Sequence, residues 1–204
     1  MQPKILSKRT ILIVVIAGLA ISPALLFYLS PRSPIQSDSV PLIENSVTLP
    51  EPEQTGPGLP VRLIIPNIDV NADIEYASIT SDGEMGVPKG PDNVAWFELG
   101  PRPGEVGSAV MAGHYGPWKD GRGSVFDDLN KLKEGDKLYV KDDKGVIISF
   151  VVRESQRYDP KADASDVFNS NDGRSHLNLV TCEGVWDQIS QNYSQRLVVF
   201  ADKE

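Results

Sequence analysis

The chain has 204 residues, 40% of them hydrophobic and 24% charged, with 28 acidic against 20 basic side chains and a formal charge of −8. That is material for one compact domain and something besides. Four of the basic residues, Lys4, Lys8, Arg9 and Arg32, lie at the front, so the remainder carries 16 basic against 28 acidic side chains, a charge of −12 that argues against nucleic acid and anionic lipid as partners.

The front is a different material from the rest. Residues 1–9 hold Lys4, Lys8 and Arg9, and residues 10–30, "TILIVVIAGLAISPALLFYLS", carry no charge. At 1.5 Å of rise per residue the uncharged run makes about 30 Å of helix, one bilayer crossing. A cleavable signal peptide competes with this reading, but its apolar region is normally about 7–15 residues and ends in a small-x-small site, which "ALLFYLSPR" does not offer. The sequence therefore predicts a transmembrane signal anchor over 10–30. The basic flank ahead of it predicts a cytoplasmic N-terminus at 1–9 and an extracellular C-terminal domain, a single-pass protein of the cell membrane. Residues 31–58 are rich in Pro, Ser and Glu and lack apolar periodicity, the pattern of an extended linker.

From residue 59 to residue 204 the chain reads as mainly β. "VRLIIP", "IEYASI", "SAVMAGH", "KLYVK", "VIISFVVR", "LNLVTC" and "RLVVFA" are short apolar or β-branched runs separated by Gly, Pro, Asp and Asn. Strands of this kind with turn signals between them predict a closed barrel or a sandwich. Short helices are expected near "SVFDDLNKL", with Ser124 capping the first turn, and near "DASDVF". There is no internal repeat.

Cys182 is the only cysteine, so it cannot form an internal disulfide; it is buried, paired with another molecule, or reactive. Burial as a small hydrophobe is the ordinary use of such a residue. Its neighbours point elsewhere. Cys182 ends the apolar run "LNLVT" and meets "EGVWD", which places it at a strand tip, where a rigid scaffold presents chemistry. A useful thiol needs a base or a cation beside it. Of the two histidines, His114 follows the strand "SAVMAG" beside Gly113, whereas His176 lies in the polar run "SNDGRSHLN" and reads as a loop residue in a structural role. Arg196 opens the last apolar run, and a guanidinium there can be a solvated edge charge or a set of fixed donors to an oxyanion. Cysteine, histidine and arginine together suit acyl transfer.

These residues resemble a known family. "AGHY", then "NLVTC", then "QRLVVFA" look like the sortases, membrane-anchored cysteine transpeptidases of mainly Gram-positive bacteria. The resemblance runs through "IIPNIDVNADI", similar to the family's early IP-x-I segment, and through "GEVGSAVMAGH", "SVFDDLNKLKEGDKLYV" and "VVRE", about residues 60–202 in all. "NVAWFELGPRPGEVGSAVMAGH" looks most like the group called class F, while "QRLVVFADKE" is similar to class A or D endings. One departure is Asn178, where the family's TLxTC pattern usually has threonine.

The resemblance implies a sortase β-barrel of about eight strands. It implies Cys182 as nucleophile, His114 as general acid/base, Arg196 as the arginine that stabilises the oxyanion, and Thr181 as a residue positioning substrate. The implied substrate is a surface protein with a C-terminal sorting signal similar to LPxTG. The implied acceptor is an amine on a lipid-linked cell-wall precursor or a pilin. Trp186, Tyr193 and Trp118 are candidate walls of a recognition groove, against a plain packing role for each. The scattered acidic residues give no calcium site, and no cofactor is implied. The rival from another class is a catalytically silent anchored β-domain binding a cell-surface partner; a redox thiol protein is disfavoured by the lack of a Cys-x-x-Cys pair.

Overall fold

Alternation of apolar and polar side chains builds the strands that face water. In β2 (Val70–Ala77), Val70, Ala72 and Ile74 are buried while Asn71 and Asp73 are exposed, the period of two expected of a sheet with one wet face. In β4 (Gly107–Gly113), by contrast, the first six residues are all buried, so both faces of that strand are covered. The computed structural model describes residues 56–204, and the expected anchor at 10–30 lies outside them, as does nearly all of the expected linker. Among the described residues no helix is long and apolar enough to cross a membrane.

The remaining strands are β1 (Pro60–Ile65), β3 (Val94–Phe97), β5 (Lys137–Asp142), β6 (Ile147–Tyr158), β7 (Ser175–Asp187) and β8 (Asn192–Lys203). They close into an eight-stranded barrel in the order β1-β2-β3-β4-β7-β8-β6-β5, with β5 returning to β1. The β2/β3 and β4/β7 pairs are parallel and the others antiparallel. The only α-helix among the described residues is α1 (Ser165–Phe168), a single turn in the β6–β7 connection. The expected all-β closed barrel with short helices is what the chain forms.

Two apolar clusters lie on opposite sides of the β4–β7–β8 sheet. Inside the barrel, Met111, Leu177, Leu179, Leu197 and Val199 pack with Leu63, Phe126 and Phe150, all fully buried. Outside it, Val110, Val198 and Phe200 are covered by Val167 of α1, with Val180, Phe97, Phe168 and Tyr158 at the margins. Thus alternate residues of β7 divide cleanly: 177 and 179 point inward, while 180 belongs to the outer face. The outer cluster explains why β4 and the first half of β7 are apolar on both sides.

Several details differ from the sequence reading. β3, "VAWF", was not among the seven expected runs; four residues between Asp-Asn and Glu-Leu-Gly give too short a signal. His176 is not in a loop but in β7, where it is 5% exposed and bridges Asp202 (Nδ1 to Oδ1, 2.8 Å) and Asp172 (Nε2 to Oδ1, 3.0 Å). That hydrogen bond from His176 holds the Asp172 carboxyl well below the usual range. Ser124 caps no helix: its hydroxyl donates to the Gly116 carbonyl at 2.6 Å, and the short 3-10 turn that follows begins only at Leu129. The end of the expected linker is tied to the barrel, since the Gly58 N–H donates to buried Asp142 at 2.9 Å. Burial works against the charge on Asp142, but the N–H groups of Gly58, Val146 and Lys144 more than offset it and keep the carboxyl below its ordinary range.

Gly113, the last residue of β4, is required by packing rather than by backbone angle. A Cβ there would run into the Phe126 ring and the Val125 side chain inside the barrel. Gly113→Ala is expected to lower stability by about 1–3 kcal/mol through overpacking, measured as a lower midpoint of chemical unfolding at unchanged slope.

Candidate active site

β4 and β7 run in parallel with Ala112 opposite Val180, so two residues further along each strand His114 comes level with Cys182. On the other side of β7, the antiparallel register places Arg196 of β8 directly opposite Cys182. Neighbouring strands are about 4.8 Å apart. Alternation from Val180 and Val198 carries Cys182 and Arg196 to the outer face, and alternation from Ala112 does the same for His114. The barrel therefore sets cysteine and arginine opposite each other on adjacent strands, with the histidine one residue past the end of the strand on the other side of β7.

The cysteine is not at a strand end. β7 continues to Asp187, and its ladder with β8 shifts register between Glu183 and Trp186. Gly184 sits in this break with φ of 90°, a backbone that L side chains rarely adopt, and a Cβ there would collide with Ser194. What looked like a strand tip is thus a bulge in a long hairpin. It frees the backbone just past Cys182 without ending the sheet.

Each of the three side chains has defined surroundings. Cys182 is half-buried and reduced; burial pushes its thiol above the ordinary range, and the Arg196 charge works in the opposite direction. Arg196 is held by the hairpin itself, one terminal nitrogen donating to Asn192 Oδ1 at 2.7 Å and the other to the carbonyls of Gln195 and Tyr193 at 3.2 and 3.4 Å. His114 Nε2 lies 2.8 Å from the Pro88 carbonyl. A carbonyl can only accept, so Nε2 carries the hydrogen and Nδ1 is the nitrogen free to gain or lose a proton. The His114 ring also packs on Trp118, with centroids 4.8 Å apart.

A cleft of about 460 Å³ opens between the segment after His114 and the hairpin after Cys182, lined by Tyr115, Gly116, Pro117, Gly123, Gly184 and Tyr193. Tyr193 makes edge contacts with Tyr115 and Trp186 at 5.3 and 5.1 Å, joining loop and hairpin by an aromatic row. Trp186 and Tyr193 thus stand beside the hairpin site, and Trp118 backs the histidine. Among the described residues, no group of three or more His, Cys, Asp or Glu side chains is placed to hold a metal ion.

Thr181 is 3% exposed, and its hydroxyl donates to the Gly113 carbonyl at 2.8 Å. The residue before the cysteine is therefore bonded to the residue before the histidine. His176 stands six residues from Cys182 along β7, about 20 Å away at ~3.3 Å per residue, and does not join the group.

The sequence reading missed two supports. Asp127 accepts from the N–H groups of Gly116 (2.7 Å) and Ser124 (2.9 Å), folding the segment after His114 onto itself. Glu183, buried beside Cys182, receives a two-pronged contact from Arg157 at 2.6 and 3.0 Å, tying β7 to β6 across β8. The only sequence signal for either was an acidic residue within an otherwise apolar or Gly-rich stretch.

The pH behaviour of the thiol follows from its surroundings. Because burial raises the Cys182 pKa and Arg196 lowers it, alkylation of the full chain by iodoacetamide should increase with pH to an inflection above the ordinary thiol range. In Arg196→Gln that inflection should move higher still, since a cation favouring the thiolate is gone. An inflection that falls in the variant would show that Arg196 does not act on the sulfur.

The family model for the sortase domain matches residues 63–204. Among solved structures, sortase C-1 from Actinomyces oris is 25% identical with a TM-score of 0.56, covering 71% of this chain and 73% of its own. A Clostridium perfringens sortase D5 transpeptidase is likewise 25% identical, with a TM-score of 0.53 and coverage of 72% and 79%. Sortase A from Corynebacterium diphtheriae, at 19% identity, TM-score 0.56 and coverage of 74% and 63%, shares the fold. No curated protein sequence matches the chain. With the family model spanning most of the chain and the whole barrel core, this protein belongs to the sortase family.

Proposed function

We propose that the protein is a membrane-anchored cysteine transpeptidase that cleaves an LPxTG-like C-terminal sorting signal and transfers the surface protein bearing it to an amine acceptor on a cell-wall precursor or a pilin. The observation that supports this reading is the register that sets Arg196 of β8 opposite Cys182 of β7, with His114 following β4 two residues after the Ala112–Val180 pair, and a cleft between the segment 115–123 and the hairpin residues Gly184 and Tyr193. A binding domain would need the barrel but not this alignment.

In this reading the Cys182 sulfur attacks the carbonyl carbon of the scissile peptide bond. Burial keeps the group mainly as a thiol near neutrality, so attack requires that its proton be taken up, and His114 is the base at the same level. The carbonyl oxygen becomes an oxyanion, and the Arg196 guanidinium, already fixed by Asn192 and two backbone carbonyls, meets the charge without having to be ordered during the reaction. Collapse breaks the C–N bond, and His114 returns the proton to the departing amine. A thioester to Cys182 remains. The acceptor amine then attacks it, giving up a proton to His114 as the new amide forms and the thiol is restored. Thr181, with its hydroxyl bound to Gly113, positions substrate indirectly in this scheme by keeping the cysteine and histidine strands together. The anchor at 10–30 would hold enzyme, substrate tail and lipid-linked acceptor at one membrane face, raising their effective concentration.

The test is mass spectrometry of the full chain incubated with an LPxTG-containing peptide, with and without an amine acceptor. A thioester adduct on Cys182 and an amide-linked product are expected, both absent in Cys182→Ala. His114→Ala should reduce turnover by about 10²–10⁴-fold. Arg196→Lys should reduce it by about 10²-fold or more, since one ammonium cannot reproduce a planar fork. His176→Ala should lower stability but retain turnover per folded molecule, because its two carboxylate partners lie at the far end of β7. Turnover that survives Cys182→Ala would overturn the assignment. In intact cells, external protease should remove the domain from a membrane-bound chain; a secreted form starting near Ser30 would show instead that the anchor is cleaved.

A further inference from the structure

The steps above use the connection between β2 and β3 only through the one carbonyl that meets His114. That carbonyl belongs to Pro88, which is buried, and it accepts the Nε2 hydrogen of His114 at 2.8 Å. The same peptide unit ends in the N–H of Lys89, which donates to Glu75 Oε2 at 3.2 Å. The other carboxylate oxygen, Oε1, accepts from the side-chain amide of Asn93 at 2.9 Å. Glu75 follows buried Ile74 on β2, so it stands on the face turned away from the barrel interior, half-buried beneath the connection. A carboxylate and the histidine thus share one peptide group, one at each end.

A trans peptide group is planar and conjugated, with its N–H and C=O pointing in opposite directions, so it can link two partners that never touch. A negative charge accepting the N–H polarises the group and makes its oxygen a better acceptor; such chains strengthen each bond by about 10–30%. Two consequences reach the ring. The Pro88 oxygen fixes which nitrogen carries the hydrogen, leaving Nδ1 for proton transfer. Once Nδ1 has taken a proton the ring is positive, and the acceptor it already holds is backed by a carboxylate. A plain structural tie is the competing role for Glu75, but the connection is anchored elsewhere. The Gly86 N–H donates to the Ser78 carbonyl at 2.9 Å, the Val125 N–H to the Pro91 carbonyl at 2.8 Å, and Arg122 pairs with Asp92 at 2.7 Å. None of these touches the Pro88–Lys89 unit.

We infer that Glu75 is a positioning residue for His114: through the Pro88–Lys89 peptide unit it holds the imidazole in its Nε2–H form and supports the positive charge that the ring carries between taking the Cys182 proton and returning it to the departing amine. The inference deepens the transpeptidase reading and rests on it for the reaction, while the hold on the ring stands on the hydrogen bonds alone. No proton passes through the peptide unit, and Glu75 meets no substrate in this scheme. It therefore acts on the rate of proton transfer and not on peptide affinity.

The experiment compares the full chain with Glu75→Gln, Glu75→Ala and Asn93→Ala. Glutamine keeps an oxygen for the Lys89 N–H and can give its NH2 to a turned Asn93 amide, so that variant removes the charge and leaves the tie. Alanine at 75 removes both, and Asn93→Ala removes only the second tie. The chain has two histidines, so in 15N-histidine-labelled protein the ring signals lost in His114→Ala belong to His114. The His114 Nε2–H proton should be resolved in the unaltered chain and in Asn93→Ala, move upfield in Glu75→Gln, and be lost to solvent exchange in Glu75→Ala. With the LPxTG-containing peptide, kcat per folded molecule should fall about threefold in Glu75→Gln and about tenfold in Glu75→Ala, the effect of one hydrogen bond weakened or lost. KM should stay within about twofold throughout, and kcat of Asn93→Ala within about twofold of the unaltered chain. An Nε2–H signal that is absent from the unaltered chain or unmoved in Glu75→Ala, an unaltered kcat in Glu75→Gln, or a rise in KM at constant kcat would each overturn the inference. So would a loss in Asn93→Ala as large as in Glu75→Ala, since Glu75 would then be a tie and nothing more. If the unaltered chain turns over no peptide, the transpeptidase reading fails on that result, while the ring signal still decides whether Glu75 holds His114.

Discussion

The parallel pairing of β4 with β7 is the constraint on which the site depends. Histidine and cysteine are 68 positions apart in the chain, and nothing local relates them. Parallel strands with Ala112 opposite Val180 bring them toward one level, and the Thr181 hydroxyl on the Gly113 carbonyl fastens the two strands one residue before His114 and Cys182. A slip of one residue in this ladder would turn every side chain of β7 to the other face and put the thiol inside the barrel. The register is protected by what it buries on each side: Leu177 and Leu179 fill the barrel, and Val180 meets the outer cluster. A slip would have to repack both clusters at once.

The same two-sided burial explains where the chemistry can be. On the side toward Val180, the outer face of β7 is packed by the cluster of Val110, Val167, Val198 and Phe200. Past Cys182, the Gly184 bulge and the exposed hairpin take over, with Val185 76% and Ile189 96% exposed. The thiol stands at this boundary, and its raised pKa is the consequence. Half-burial disfavours the thiolate, and the single opposing influence from Arg196 does not cancel it. An arginine fixed by its own hairpin is well suited to a charge that appears only during the reaction, and less suited to stabilising a resting anion through close contact.

Much of this was legible in the sequence, for reasons that are physical. Seven short apolar or β-branched runs bounded by turn residues became strands, some alternating over a half-buried pleat like β2 and some buried on both faces like β4. The lone cysteine, the histidine after "SAVMAG" and the arginine before "LVVFA" could be singled out because reactive residue types sit at the margins of apolar runs. Three features were not legible. β3 is four residues long and is held by its parallel partner β2, not by its own pattern. His176 looked solvated because its chain neighbours are polar, but β8 supplies Asp202 from 26 positions away to satisfy it inside the sheet. "EGVWD" looked like a loop because Gly184 and Asp187 are turn formers, whereas the hairpin absorbs Gly184 as a bulge and continues.

Asn178 shows where motif and physics part. Read against a motif, it is a mild departure of one polar residue for another. By its contacts, it is a tie: its amide donates to the Val167 carbonyl of α1 at 2.6 Å, and a leucine would fill the space without an unsatisfied oxygen. Burying an amide whose Oδ1 finds no donor costs stability, and such costs persist where they set the geometry of a site. β7, which carries Cys182, then also holds α1.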